Sequence, residues 1–269
     1  MSLLATAQVL SAEGGGFHAP SIDDFFPASV LFDGSAFELN RIMLIRLLVT
    51  VVLIAVFVTA AARARLVPGR FQNVIEMILD FCRVSIADEV LGEKNGRKYA
   101  PIITTIFCAI LFFNLTGVVP GLNIAGTGVI GLPLVFALWV WIMYLGAGVK
   151  QHGVAGYLKV SLFPPGVPWP LYVLLTPIEL LQNLILKPAT LTIRLLANMI
   201  AGHLLLALCF AGTQYLLFSA SGGLKVFGLV TFTGGFAFFL LEIFVAALQA
   251  YVFAILTATY LNMAVSDEH

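Results

Sequence analysis

Residues 171–218 read LYVLLTPIELLQNLILKPATLTIRLLANMIAGHLLLALCFAGTQYLLF, 48 positions in which Arg194 shares its apolar surroundings only with Glu179, Lys187 and the titratable His203. A second apolar block, residues 224–265, follows after Ser219-Ala220-Ser221-Gly222-Gly223. At a rise of about 1.5 Å per residue, either block as one helix exceeds a hydrocarbon core of about 30 Å by roughly twofold. Each block is therefore split, or is a long, strongly tilted or broken helix. Pro177 and Pro188 permit breaks in the first block, and the second has no proline. The placement of polar residues favours two long tilted helices that form an antiparallel hairpin.

In such a hairpin, residues at equal depth have position numbers with a constant sum, near about 442 to 446 for a turn at Ser221 to Gly223. Arg194 then comes level with Gln249, and His203 with Glu242. The two levels are roughly 10 to 14 Å apart along the axis. At about 100° per residue Lys187, Thr190, Arg194 and Asn198 fall on one stripe, and Glu242, Gln249 and Tyr260 on one stripe of the second helix. His203 lies two and a half turns from Arg194 and points the opposite way. A guanidinium keeps its charge at any biological pH, and a cation at the bilayer centre costs roughly 3 kcal/mol or more. Arg194 therefore calls for an anionic partner or a polar path. For Asn198 and Gln249, simple hydrogen bonding between helices is an equally good explanation.

The rest of the chain fits this setting. It is 60% hydrophobic and 10% charged, with a mean hydropathy of +1.02, which marks an all-α polytopic integral membrane protein. The formal net charge is zero, so nothing points to nucleic acid as a partner. Residues 1–40 have no basic n-region and read as an external N-terminal segment. Residues 41–269 form a single membrane domain with spans at about 42–62, 101–119, 129–149, 171–218 and 224–265. Between the first two, residues 71–91 carry Val74, Ile75, Ile78, Leu79, Cys82 and Ile86 at helical spacing among Glu76, Asp80, Arg83 and Asp88, as an amphipathic interfacial helix does. Glu93, Lys94, Arg97 and Lys98 then read as a polar loop. Lys150, His152 and Lys159 fall in a connector that ends in the proline-rich stretch 163–170.

Nine Lys and Arg residues flank spans one and three on one side: Arg63, Arg65, Arg70, Arg83, Lys94, Arg97, Lys98, Lys150 and Lys159. The link between spans two and three has none. By the positive-inside rule those loops are cytoplasmic, so the N-terminus is outside and the C-terminus inside. Arg41 and Arg46 on the outer side are tolerable because side chains at span ends snorkel. Cys82, Cys108 and Cys209 lack metal or disulfide spacing and read as buried thiols.

The run Lys187-Pro188-Ala189-Thr190-Leu191-Thr192-Ile193-Arg194-Leu195-Leu196-Ala197-Asn198-Met199-Ile200-Ala201-Gly202-His203 resembles the signature helix of subunit a of F-type ATP synthases. Leu248-Gln249-Ala250-Tyr251-Val252-Phe253 resembles that family's last helix. Asn114-Leu115-Thr116-Gly117-Val118-Val119-Pro120-Gly121 resembles its second-span motif, and Thr176-Pro177-Ile178-Glu179 also fits. The likeness runs in order from about residue 40 to the end. Leu196-Ala197 replaces the Phe-Gly usual before the asparagine, which alters packing and leaves the charges in place. The pair His203 and Glu242 is one of the two arrangements found in the family, other members carrying the acid and imidazole exchanged.

The resemblance implies a non-catalytic stator subunit in the cell membrane of a bacterium, with the hairpin packed against a rotating c-ring of small hairpin subunits. Its partners would be that ring, a b-type peripheral stalk subunit, the rest of the ATP synthase complex and the lipid bilayer; no cofactor or metal is implied. Arg194 would meet the ring carboxylate between two proton half-channels. Asn198 and Gln249 would orient or hydrate it, His203 and Glu242 would relay protons in the external half-channel, and Glu179 is the weaker candidate for the cytoplasmic one. The alternative is a secondary transporter with a midplane Arg and a His/Glu relay, which would show two pseudo-symmetric halves that this chain lacks. Hydrolase motifs of the HExxH and GxSxG types are absent.

Overall fold

A computed structural model describes residues 29–31, 39–119, 125–163, 168–219 and 224–266. Most of the N-terminal segment, the residues 220–223 of the hairpin turn, and parts of the two links at 120–124 and 164–167 lie outside the described residues. Among the described residues, five helices are long and apolar enough to cross a membrane: Arg41–Ala62, Arg70–Val118, Gly131–Lys159, Tyr172–Phe218 and Lys225–Val265. Among the described residues the fold is all-helical apart from a short antiparallel pair, β1 (Ser29–Leu31) and β2 (Leu39–Asn40).

Helix α1 (Arg41–Ala62) starts on an Asn40 cap, whose Oδ1 accepts the Met43 N–H at 3.0 Å. Ile42, Ile45, Val49 and Leu53 are its buried stripe at helical spacing. Leu47, Leu48, Val51, Ile54 and Val58 are exposed, as a helix with lipid on its other faces requires. Arg46, which the sequence expected to snorkel, donates from its Nε to the Gly126 carbonyl at 2.8 Å. A backbone carbonyl of the link after the second span thus accepts the charge that hydrocarbon could not.

Helix α2 (Arg70–Cys82) continues through a π turn (Arg83–Asp88). Cys82, Ile86 and Ala87 are fully buried, and the Phe81 ring lies 5.8 Å from that of Phe107. The run Glu89–Val118, α3, is interrupted at Gly92, which takes φ +74°, a conformation costly for any residue with a Cβ. Glu93, Lys94, Arg97 and Lys98 are consequently helical, not a loop. The kink needs only one glycine, and a helix outside the hydrocarbon can carry charge on its flanks. The same device appears in α4 (Gly131–Leu162), where Gly153 has φ +71° and a further short helical stretch replaces most of the expected connector.

Helix α5 (Tyr172–Leu181), a π turn (Gln182–Leu186), α6 (Lys187–Gln214) and a second π turn (Tyr215–Ser219) make one continuous helical run. Helix α7 (Leu224–Val265) is unbroken over 42 residues, about 63 Å at 1.5 Å per residue. Its buried stripe includes Ala246, Ala250, Ala254 and Ala258, four small residues at i+4 spacing that allow close approach of a neighbouring helix. The described chain divides into two compact units. One takes in the start of α1 through Val51, with Leu111–Gly128 and Leu196–Leu248; the other takes in Val52–Ile110, Val129–Leu195 and the chain from Gln249.

Candidate functional site

Within the first unit the packing of α6 on α7 follows from the hairpin register. Thr213 Oγ1 donates to Thr231 Oγ1 at 3.0 Å. A Cβ on Gly235 would stand 3.1 Å from the Cys209 Cβ, and one on Gly228 would stand 2.8 Å from the Leu217 side chain. His203 Nδ1 lies 3.4 Å from Glu242 Oε1. All four pairs fall in the narrow range of summed positions that a turn at 221–223 dictates. Small and hydroxyl side chains bring the backbones together, and the titratable pair is carried to equal depth by the same geometry.

His203 is 7% exposed and Glu242 5% exposed, so both titratable groups are held away from solvent. Two glycines shape the space around them. A Cβ on Gly117 of α3 would fall 2.2 Å from the His203 imidazole, and one on Gly202 would come 2.8 Å from Glu242 Oε1. On α3, about one turn before Gly117, Asn114 is fully buried and its Oδ1 accepts the Thr127 hydroxyl at 2.6 Å. The Gly126 N–H donates to the Phe113 carbonyl at 3.1 Å and to Thr116 Oγ1 at 3.2 Å, fastening the link to the end of α3. Among the described residues neither Glu242 oxygen accepts a hydrogen bond, His203 Nδ1 lying near Oε1 without hydrogen-bond geometry, and Asn114 Nδ2 donates none. Buried polar atoms of this kind are ordinarily satisfied, by protein or by ordered water. Sequence reasoning did not assign Asn114, Thr127 or Gly117 to the site, although Asn114 and Gly117 stand in the motif that carried the family likeness.

In the second unit Arg194 is exposed, and among the described residues its guanidinium forms no hydrogen bond or ion pair. Thr190, Arg194, Ala197, Ala201 and Leu205 mark an exposed stripe of α6, while Leu191, Leu195 and Met199 fill the buried one. Asn198, in the first unit, is likewise exposed and Gln249 is buried at 4% exposure. Tyr260 of α7 is within electrostatic reach of Arg194 and stands near Thr190, whose hydroxyl donates to the Leu186 carbonyl at 2.7 Å.

Lys187 departs from the expected polar stripe. It lies two turns from Arg194 on the same side of the helix yet is only 8% exposed. Its ammonium donates to Asn183 Oδ1 and sits 5.2 Å from the Tyr144 ring centroid and 5.3 Å from that of Tyr260. Covering side chains, not azimuth, separate the two cations. Glu179 is half-buried on α5 and interacts electrostatically with Lys187. Among the described residues no group of three or more His, Cys, Asp or Glu could hold a metal ion, and all three cysteines are free.

Comparison with known proteins places this arrangement among relatives. The sequence model of the family "ATP synthase A chain" matches residues 43–262. A protein of Rhodococcus erythropolis named ATP synthase subunit a is 47% identical over 98% of this chain and 96% of its own length. Proteins of the same name from Parafrankia and Nocardioides are 38% and 35% identical, each over 98% of this chain and over 90% and 99% of their own lengths.

Proposed function

The chain belongs to the ATP synthase A chain family, a multi-pass, non-catalytic proton-channel subunit of the membrane stator, and from that membership we propose how its residues conduct protons. Arg194 is the fixed cation that meets a carboxylate of the c-ring, between two aqueous half-channels that do not meet. The observation that carries this reading is the contrast on one helix: an exposed guanidinium at Arg194, and a buried His203 held 3.4 Å from Glu242.

A cation within about 4 to 6 Å lowers a carboxyl pKa by roughly 1 to 3 units, enough to draw a proton from an acid that lipid would keep neutral. Arginine does not give up its own proton, so it acts as a barrier and not as a conductor. Asn198, on the same exposed stripe, and Gln249, level with Arg194 by register, orient or hydrate the guanidinium. His203 and Glu242 relay protons in the external half-channel, since an imidazole titrates near neutral pH and a neighbouring carboxylate tunes it. Asn114 and Thr127 extend the polar lining of that half-channel. Glu179 serves the cytoplasmic side. The driving force suits the task, because one elementary charge moved through 100 mV is worth about 2.3 kcal/mol.

The protein lies in the bacterial cell membrane with its N-terminus outside and its C-terminus in the cytoplasm. It works with the c-ring, a b-type peripheral stalk subunit and the remainder of the ATP synthase complex. Arg194→Ala in the assembled complex is expected to abolish ATP-driven proton pumping into inverted vesicles while the complex still assembles. Retained pumping contradicts the proposal.

A further inference from the structure

We propose that Lys187, with Asn183, Tyr144 and Tyr260, is a positioning clamp that fixes the rotation and height of Arg194; the inference rests on the role proposed for Arg194. It begins with Pro188, which has no N–H to offer and whose ring would strike the Leu184 carbonyl in a regular α-helix. The chain answers with the π turn Gln182–Leu186, in which the Lys187 N–H bonds to the Gln182 carbonyl. The Asn183 carbonyl is thereby deprived of both intrahelical donors: Lys187 is engaged one residue back, and the next position is the proline. An orphaned carbonyl in a membrane helix needs an outside partner. Two are supplied by α4, Trp141 Nε1 at 2.9 Å and the Tyr144 hydroxyl at 2.7 Å.

The Asn183 side chain completes the clamp. Its Nδ2 donates to Ser161 Oγ at 2.9 Å, and its Oδ1 accepts the Lys187 ammonium. The ammonium is enclosed by the faces of Tyr144 and Tyr260, whose ring centroids are 5.9 Å apart. Tyr260 belongs to α7 and stands near Thr190, one turn before Arg194. The start of α6 is thus bolted to α4 on one side and α7 on the other by a single buried cation. From there the helix runs without interruption for seven residues to Arg194, two turns and about 10.5 Å away on the same side.

Such a clamp matters because Arg194 itself is held by no bond of its own among the described residues, so its position is inherited from the helix that carries it. At a radius of about 6 Å, a rotation of 20° moves a side-chain tip by about 2 Å. A shift of about 1 Å at a reacting group costs on the order of a hundredfold in rate. A mispositioned guanidinium would leave the ring carboxylate unmatched and let protons pass between the half-channels.

The test uses the complete ATP synthase in inverted membrane vesicles, with three readouts: ATPase activity retained on the membrane, ATP-driven acidification, and passive proton permeability after the soluble head is stripped. Lys187→Met keeps the length of the side chain and removes its charge. It is expected to leave membrane-bound ATPase within about twofold of the parent, cut acidification at least fivefold and raise passive permeability; Lys187→Arg should recover at least half of the acidification. A folding defect lowers bound ATPase and acidification together and does not raise the leak. Tyr144→Phe, which removes the hydroxyl bond and keeps the ring, is run beside it so that a failure of Lys187→Met to assemble does not end the test, and it is expected to lower acidification at least twofold with bound ATPase retained. Normal acidification and unchanged leak in Lys187→Met, or in Tyr144→Phe should the first not assemble, overturn the clamp, as does lost assembly in both variants. Arg194→Ala measured in parallel separates the two claims: if it still pumps, the role of Arg194 fails, and if it does not pump while Lys187→Met is normal, only the clamp fails.

Discussion

Two cations two turns apart on one helix have opposite fates. Lys187 is buried, capped by an amide oxygen and enclosed by two tyrosine rings. Arg194 is exposed, and no hydrogen bond or ion pair among the described residues accounts for its charge. A charge with complete local satisfaction serves the architecture. One left open at an exposed stripe of an apolar helix serves something outside the chain, because a permanent charge against hydrocarbon has no other stabilisation. Lysine suits the enclosed site, where its compact ammonium is gripped on several sides. Arginine suits the open one, where the group must stay charged through every encounter.

The sharpest way to break this comparison is to give both sites the same cation. Arg194→Lys keeps a positive charge in form, but a desolvated ammonium loses its proton readily. ATP-driven pumping is expected to fall at least tenfold, and pumping near the parental level would show that any cation serves. The second effect in size concerns the buried pair. His203→Ala and Glu242→Ala should each abolish most proton uptake, whereas the double exchange His203→Glu with Glu242→His should retain more activity than either deletion, since the 3.4 Å pairing is symmetric in its partners. An exchange as inactive as the deletions contradicts a shared relay.

A smaller effect is expected at the glycine that makes room for this pair. Gly117→Ala places a methyl 2.2 Å from the imidazole and forces the ring to turn from Glu242. Pumping should drop severalfold, and more than in Gly202→Ala, where the added methyl meets only the end of the Glu242 side chain at 2.8 Å. Equal losses would show that backbone crowding, not the imidazole, sets the effect. The smallest change is that of Trp141→Phe, which removes one of two donors to the Asn183 carbonyl and leaves the Tyr144 hydroxyl. It should lower stability by about 1 kcal/mol, read as earlier thermal inactivation of the solubilised complex.

What could be read from the sequence was governed by local rules. The hairpin register needed only a Gly-rich turn and the constant rise of a helix, so the depth pairing of His203 with Glu242 was visible in advance. The outward and inward facing of Arg194 and His203 followed from nine residues at 100° each. What escaped depended on distant partners. Pro188 permitted a break, and the helix passes it by a π turn, because Trp141 and Tyr144 of α4, some forty positions earlier, satisfy the carbonyl that proline orphans. Lys187 looked like part of an exposed polar stripe for the same reason, its tyrosine cover lying far off in the chain. Gly92 and Gly153 kink their helices with a positive φ, but nothing local distinguishes them among 24 glycines. The charges of residues 93–98 suggested a loop, and charge alone does not exclude a helix once it has left the hydrocarbon.

The most direct measurement of the central claim is which face of α6 meets the ring. Asn198, one turn beyond Arg194 on the exposed stripe, is replaced as Asn198→Cys and paired with single cysteines along the outer helix of the ring subunit, in a background lacking Cys82, Cys108 and Cys209. Oxidation of membranes is expected to give a subunit a to ring disulfide for Asn198→Cys and none for Met199→Cys on the buried stripe. Cross-linking from the buried position alone would contradict the account, since Arg194 would then look away from the rotor.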